Sequence, residues 1–172
     1  MKANTLILSI AIMVLGTFAV QGQALKIGYT NTDYILSKLP EAKQIESELK
    51  THREQLGAQL QSKQQELERK YQSFVDGQAT MTDVVKNDVQ SELQELQASI
   101  QKFAAEAEKS MQNKQIQLLA PVYEKIDGGI KEVAKEKGCS HVFSQGVLLY
   151  ATSENDISAL VLAKIGVETT PN

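Results

Sequence analysis

The spacing of apolar and polar positions changes period several times along the chain. After an almost wholly apolar run from Leu6 to Val20, Leu25, Ile27 and Tyr29 alternate with Lys26, Gly28 and Thr30, which predicts a strand. Asn31 to Leu39 reads as a connector. Pro40 and Glu41 then mark a helix start, where a missing N–H costs nothing and an acid suits the dipole. For nearly a hundred residues the period is helical. The stripe Ile45, Leu49, His52, Leu56, Leu60, Lys63, Leu67, Tyr71 and Phe74 advances in threes and fours, and its rows repeat every 11 residues. Ile45, Leu56 and Leu67 make one row, and Leu49, Leu60 and Tyr71 the next. The following segment repeats the device with Val89, Ile100, Met111, Val122 and Val133, beside Val85, Leu96, Ala107 and Leu118. Eleven residues in three turns is about 3.67 per turn, the period of a straight or gently right-handed coil.

Asp76 to Asp83 separates the two segments. Gly77 in a left-handed conformation would end the first helix, and Thr80 with Asp83 resembles a capping box for the second. The helices therefore run back on each other as an antiparallel hairpin. The first, of about 36 residues, would extend roughly 50 Å. The second, about 55 residues long, must pass beyond the start of the first. Pro121 falls inside it and marks a kink and a hinge candidate, because the apolar rows continue to Val133. Gly138 stops it after Lys135 and Lys137. Strand chemistry returns at His141-Val142-Phe143-Ser144 and again at Val147 to Ala151, with a Gln145-Gly146 turn between. Ile157, Leu160, Val161 and Ile165 then mark a short amphipathic helix ending at Gly166. Three short strands and one small helix bury too little to hold a rigid arm, so the chain is expected to oligomerise through them.

Composition narrows the chemistry. Of 172 residues, 18 are Lys or Arg and 21 Asp or Glu, a net charge of −3 that lacks the basic excess of a nucleic-acid binder. Lys2, the apolar run and the small residues Gly22 and Ala24 follow the order of a secretory signal peptide, assigned to residues 1–23. A retained anchor is the alternative, although a largely apolar stretch of 15 residues falls short of the roughly 18 to 20 that span a bilayer. Export of the mature chain follows. With one cysteine, Cys139, there is no disulfide framework; that residue reads as a small buried hydrophobe. Acid pairs such as Glu46/Glu48 and Glu106/Glu108 lie two apart and do not share a helix face. No phosphate loop, nucleophile elbow or metal spacing is present, so no catalytic residue, metal or cofactor is assigned and the chain is not expected to be an enzyme.

The order of elements, together with Leu118-Leu119-Ala120-Pro121-Val122-Tyr123-Glu124-Lys125-Ile126, Val133 to Gly138, Leu148 to Ala151 and Asn155 to Ser158, resembles the OmpH/Skp family of periplasmic chaperones over essentially the whole mature chain. The resemblance implies an α+β fold in which a long helical hairpin, a coiled-coil arm at 40–137 with its tip near 77–82, stands on a small β-rich base formed by 24–39 and 138–172. It implies a periplasmic homotrimer joined through that base, by Leu25, Ile27, Tyr29, Val142, Phe143, Leu148, Leu149 and Tyr150. It also implies that unfolded outer-membrane β-barrel proteins are held between the arms without ATP.

Candidate client contacts are Val75, Met81, Val84, Ile116 and Leu119, which lie off the main stripe, and Tyr71, Phe74 and Phe103, which lie on or beside it, where seam packing is the competing role. Known arms of the family are basic. From Leu60 to Ile100 this one carries four cations against seven acids, so attachment to an acidic lipid or lipopolysaccharide surface is not carried over. The rival reading is an exported coiled-coil adaptor or tether that joins envelope proteins through its tip.

Overall fold

A computed structural model describes residues 25–167, and the signal-peptide reading at 1–23 lies outside them. Strand β1 (Ile27–Thr30) leads into helices α1 (Thr32–Lys38) and α2 (Pro40–Gly77); a 3-10 turn at Gln78–Thr80 precedes α3 (Asp83–Lys137), and strand β2 (His141–Ser144) and helix α4 (Ser158–Lys164) follow. The two long helices form the expected antiparallel hairpin. At 38 and 55 residues they extend roughly 57 and 82 Å.

β1 and β2 pair in parallel, Ile27 opposite His141 and Thr30 opposite Ser144. A parallel pair requires a long crossover connection, and here the whole arm is that crossover. Its two ends are tied together where the Ser140 amide donates to the Lys26 carbonyl at 2.8 Å. The other edge of β1 is taken by the approach to α4: the Ile157 amide donates to the Tyr29 carbonyl at 2.9 Å.

The core sits at the base. Ile35 from α1, Leu39 just after it, Ile45 from α2, Val122, Ile126 and Val133 from α3, and Ile157, Val161 and Leu162 at α4 form one buried cluster. The part of α3 that overshoots the start of α2 therefore supplies the floor on which α1 and α4 pack. At Gly129 the contact is closest: a Cβ there would lie 2.6 Å from Ile165 Cγ2 and 3.2 Å from Val161 Cγ1. Two buried hydroxyls, Thr30 and Ser158, face each other at 3.3 Å. Ser158 Oγ accepts from the Asn31 amide and donates to Asp156 Oδ1, so both are satisfied despite burial.

Four local expectations are corrected. Asn31 to Leu39 is a helix, not a connector: the Asn31 side chain accepts from the Tyr34 amide as an N-cap, and Ile35 and Leu39, four apart, share the buried face. Val147 to Ala151 forms no strand among the described residues, because no neighbouring strand lies beside it; Leu149 and Tyr150 are exposed. Gly77 has φ −95°, right-handed, because a 3-10 turn continues the helix, and the Thr80 hydroxyl donates to the Gly77 carbonyl. The cap of α3 is Thr82, whose hydroxyl accepts from the Val85 amide, so the helix starts two residues later than a Thr80 cap would place it. Gly138, by contrast, is left-handed at φ 66°, as its position at the helix end predicts.

Candidate functional site

Beyond its root the arm has no core. From Glu46 to Pro121 no residue is buried, and the apolar stripe of each helix is at best half-covered by the other. Two helices present too little width to enclose a seam on both sides. What lies to either side of the seam therefore determines what the arm can bind.

One side is closed by polar contacts between the helices. Glu41 accepts from Lys125 at 2.6 Å, Glu48 lies 3.5 Å from Lys114, His52 Nε2 shares a hydrogen bond with Ser110 Oγ at 3.0 Å, Lys63 sits 5.7 Å above the Phe103 ring, and Lys70 pairs with Glu92. As the numbers rise along α2, those along α3 fall, so these contacts fix the register of the hairpin. The polar steps His52 and Lys63, which look like faults in the stripe, each have a partner across it. Lys125's hydrogen bond is the main reason that the Glu41 carboxyl is held below the usual carboxylate range.

The other side is open, and at the root it is apolar. At the root, Leu36 of α1, Ala42, Ile45 and Leu49 of α2 and Leu119 of α3 line a groove of about 410 Å³, with Glu46, Lys50, Arg53 and Gln115 around them. Further out, the row that begins with Leu49 continues through Leu60 to Tyr71. Tyr71 is 51% exposed, and Val75, one turn beyond, is exposed too.

The sequence-derived contact candidates divide accordingly. Leu119 is half-buried in the groove wall, and Ile116, one turn away, is 67% exposed on the outer flank of α3. Phe103 and Phe74 are half-buried, Phe103 under Lys63. At the tip Val84 is 70% exposed, whereas Met81 is half-buried and folds back over Gly77. The candidates are thus spread along the arm. The groove itself escapes sequence reading, since Leu36 lies in the segment read as a connector and Lys50 and Arg53 look like ordinary surface cations. The signal that was available is the helical spacing of Leu36 and Leu39 around the Asn31 cap.

The base presents the other surface. Leu25, Ile27, Phe143, Leu149 and Tyr150 are exposed, with Val147 beside them, and Leu148 is half-buried. Tyr29 and Val142 behave differently: Tyr29 is buried within its own chain and Val142 packs against the core. Cys139 is half-buried, with its Sγ facing Gly28. Behind this surface Lys164 of α4 bridges Glu132 and Glu136 of α3; its bond to Glu136 is the chief cause that holds its ammonium above the ordinary lysine value. No cluster of metal-ligating side chains occurs among the described residues, and none of their helices is long and apolar enough to cross a membrane.

The comparisons agree with this geometry. The family model for outer membrane protein (OmpH-like) matches residues 26–165. The chaperone protein Skp of Yersinia enterocolitica is 29% identical over 150 residues, which span 83% of this chain and 87% of that one. A crystal structure of an OmpH-like outer membrane chaperone from Caulobacter crescentus superposes with a TM-score of 0.71 at 18% identity, covering 87% of this chain and 89% of the other, a likeness of fold. The match of the family model across the strands, the arm and α4 means that the chain belongs to the OmpH-like outer membrane protein family.

Proposed function

We propose that the chain is a periplasmic holdase that keeps unfolded outer-membrane β-barrel proteins from aggregating, without ATP, as a homotrimer joined through its base. The family is not one of enzymes, and the relative at 29% identity carries the name of a chaperone. The observation that carries the reading is the arm: a helix pair without buried residues from Glu46 to Pro121, tied by polar contacts along one side, with an open apolar groove at its root and exposed Tyr71 and Val75 further out on the other. Such a surface offers many weak contacts and no single deep site. A client held that way leaves when its own folded barrel provides tighter packing, so no nucleotide is needed to release it.

Trimerisation would cover Leu25, Ile27, Phe143, Leu149 and Tyr150, and would give Val147 to Ala151 the neighbouring strand that it lacks among the described residues. Three arms around one client then raise the local concentration of contact sites. Pro121, just outside the buried core that begins at Val122, stands where a hinge would let the arms open to fit clients of different size. The acidic middle of the arm argues against attachment to anionic lipid.

The test is light scattering after a denatured outer-membrane β-barrel protein is diluted into buffer with the mature chain in trimer-equivalent excess. Suppressed aggregation without nucleotide is the expected result. Unchanged aggregation in the presence of folded, helical protein would overturn the reading and favour the adaptor, whose binding should then be lost with Val84→Asp at the exposed tip.

A further inference from the structure

We propose that the groove at the arm root selects client segments in which a large apolar side chain stands beside an aspartate or glutamate. This selectivity rests on the holdase reading and names the class of segment it would hold. The floor is apolar, built by Leu36, Ala42, Ile45, Leu49 and Leu119, and its volume of about 410 Å³ falls within the range of ligand pockets. Its lip carries Lys50 and Arg53 against a single acid, Glu46.

The charge on the two sides of the seam differs in kind. On the closed side, Glu41 and Glu48 are each matched by a lysine from α3. On the groove side, Lys50 approaches Glu54 at 4.0 Å with both side chains well exposed, a contact of little strength, and Arg53 has no ion pair or hydrogen bond among the described residues. A guanidinium at the edge of an apolar floor is a good partner for a carboxylate, because it offers paired donors in one plane and gives up its hydration more readily than an ammonium. A wholly apolar segment would fill the floor and leave Arg53 unmatched, and a basic segment would be repelled. The shaft from Leu60 to Ile100, with four cations against seven acids, repels acidic segments. The root is where they can be held.

The probes are short synthetic peptides with a fluorescent label and a central Phe flanked by Asp, by Asn or by Lys, titrated with the full mature chain and followed by anisotropy. The Asp peptide is expected to bind about fivefold more tightly than the Asn peptide, the effect of one exposed charge contact. Arg53→Glu should reverse the order of the Asp and Lys peptides, Arg53→Lys should keep it, and Leu119→Asn should weaken all three alike. Arg53 is exposed, so the variants should retain their helicity, which circular dichroism checks. Affinities that do not depend on flanking charge, or an order unchanged by Arg53→Glu, would overturn the selectivity. Crosslinking from the central position to residues away from the groove would do the same. Light scattering with the same variants separates the two levels: suppressed aggregation alongside charge-blind peptides removes the selectivity and leaves the holdase, whereas loss of suppression in the unaltered chain removes both.

Discussion

The base and the arm of this protein are built from similar amino acids and put to opposite uses. At the base, α1, α4 and the overshooting end of α3 meet from different directions and bury Ile35, Leu39, Ile126, Val161 and Leu162 to 1% exposure or less. Along the arm the same kinds of side chain, Leu56, Leu60, Leu67, Leu93 and Leu96, are half-covered by a single partner helix. Burial depends on the number of elements that converge, not on the hydrophobicity of the residue. A core gives one well-defined structure, and a half-covered seam leaves apolar surface open to further contact.

The sharpest way to break this contrast is to make equal deletions in both regions. Ile126→Ala or Leu162→Ala removes a fully buried side chain and should cost about 2–5 kcal/mol. Leu60→Ala or Leu96→Ala removes a half-covered one and should cost about 1 kcal/mol. Urea denaturation followed by circular dichroism measures both. Equal costs would mean that the arm is as tightly organised as the base, and the contrast between a buried core and a half-covered seam would fail.

The adjacent glycines of α3 give a second comparison within one turn of helix. An alanine at Gly129 must displace Ile165 and Val161, so Gly129→Ala should destabilise the base by about 1–3 kcal/mol despite its better helix propensity. Nothing lies within 4 Å of a Cβ at Gly128, so Gly128→Ala should stabilise by up to about 1 kcal/mol. Melting temperatures that move in the same direction would show that α4 does not dock as described.

These cases also show which parts of the fold are legible in sequence. The hairpin is, because the eleven-residue rows from Ile45 to Leu67 and from Val89 to Val133 are repeated many times and Gly138 stops them with a left-handed residue. The tip is less so. Thr80 and Thr82 both meet the description of a cap, and the choice between them is a balance of local hydrogen bonds. Helix α1 is obscured by Pro40, which draws attention to the helix it begins and away from the one that ends at Lys38. Val147 to Ala151 carries strand propensity without a partner among the described residues, and propensity cannot supply one. The groove joins three elements that are distant in sequence, so no local pattern marks it.

The closed side of the arm offers a smaller test. His52→Leu combined with Lys63→Leu replaces two paired polar steps by apolar ones and should tighten the seam by about 1 kcal/mol. Amide hydrogen exchange should slow along the arm and remain unchanged at the base. If arm flexibility helps to hold varied clients, the stiffened protein should suppress aggregation less well. Unaltered exchange would show that the His52–Ser110 and Lys63–Phe103 contacts already hold the seam as firmly as packing would.

The smallest expected effects come from two ion pairs, and they separate base from arm by pH. Lys164 has its proton affinity raised above the ordinary 10.5, first by its hydrogen bond to Glu136, so its contribution is fully present below 10.5 and is lost as pH rises through the raised value. Glu41 is shifted the other way, below 4.5, first by the hydrogen bond from Lys125, so its contribution is present above 4.5 and is lost as pH falls through the lowered value. Alkali should therefore loosen α4 from α3, and acid should loosen the root of the hairpin. Lys164→Met should flatten only the alkaline limb of the urea midpoint plotted against pH, and Glu41→Gln only the acid limb. Both pairs are partly exposed, so added salt should shrink the two limbs together. An alkaline limb that survives Lys164→Met would move the control of α4 docking from this ion pair to the apolar contact at Gly129.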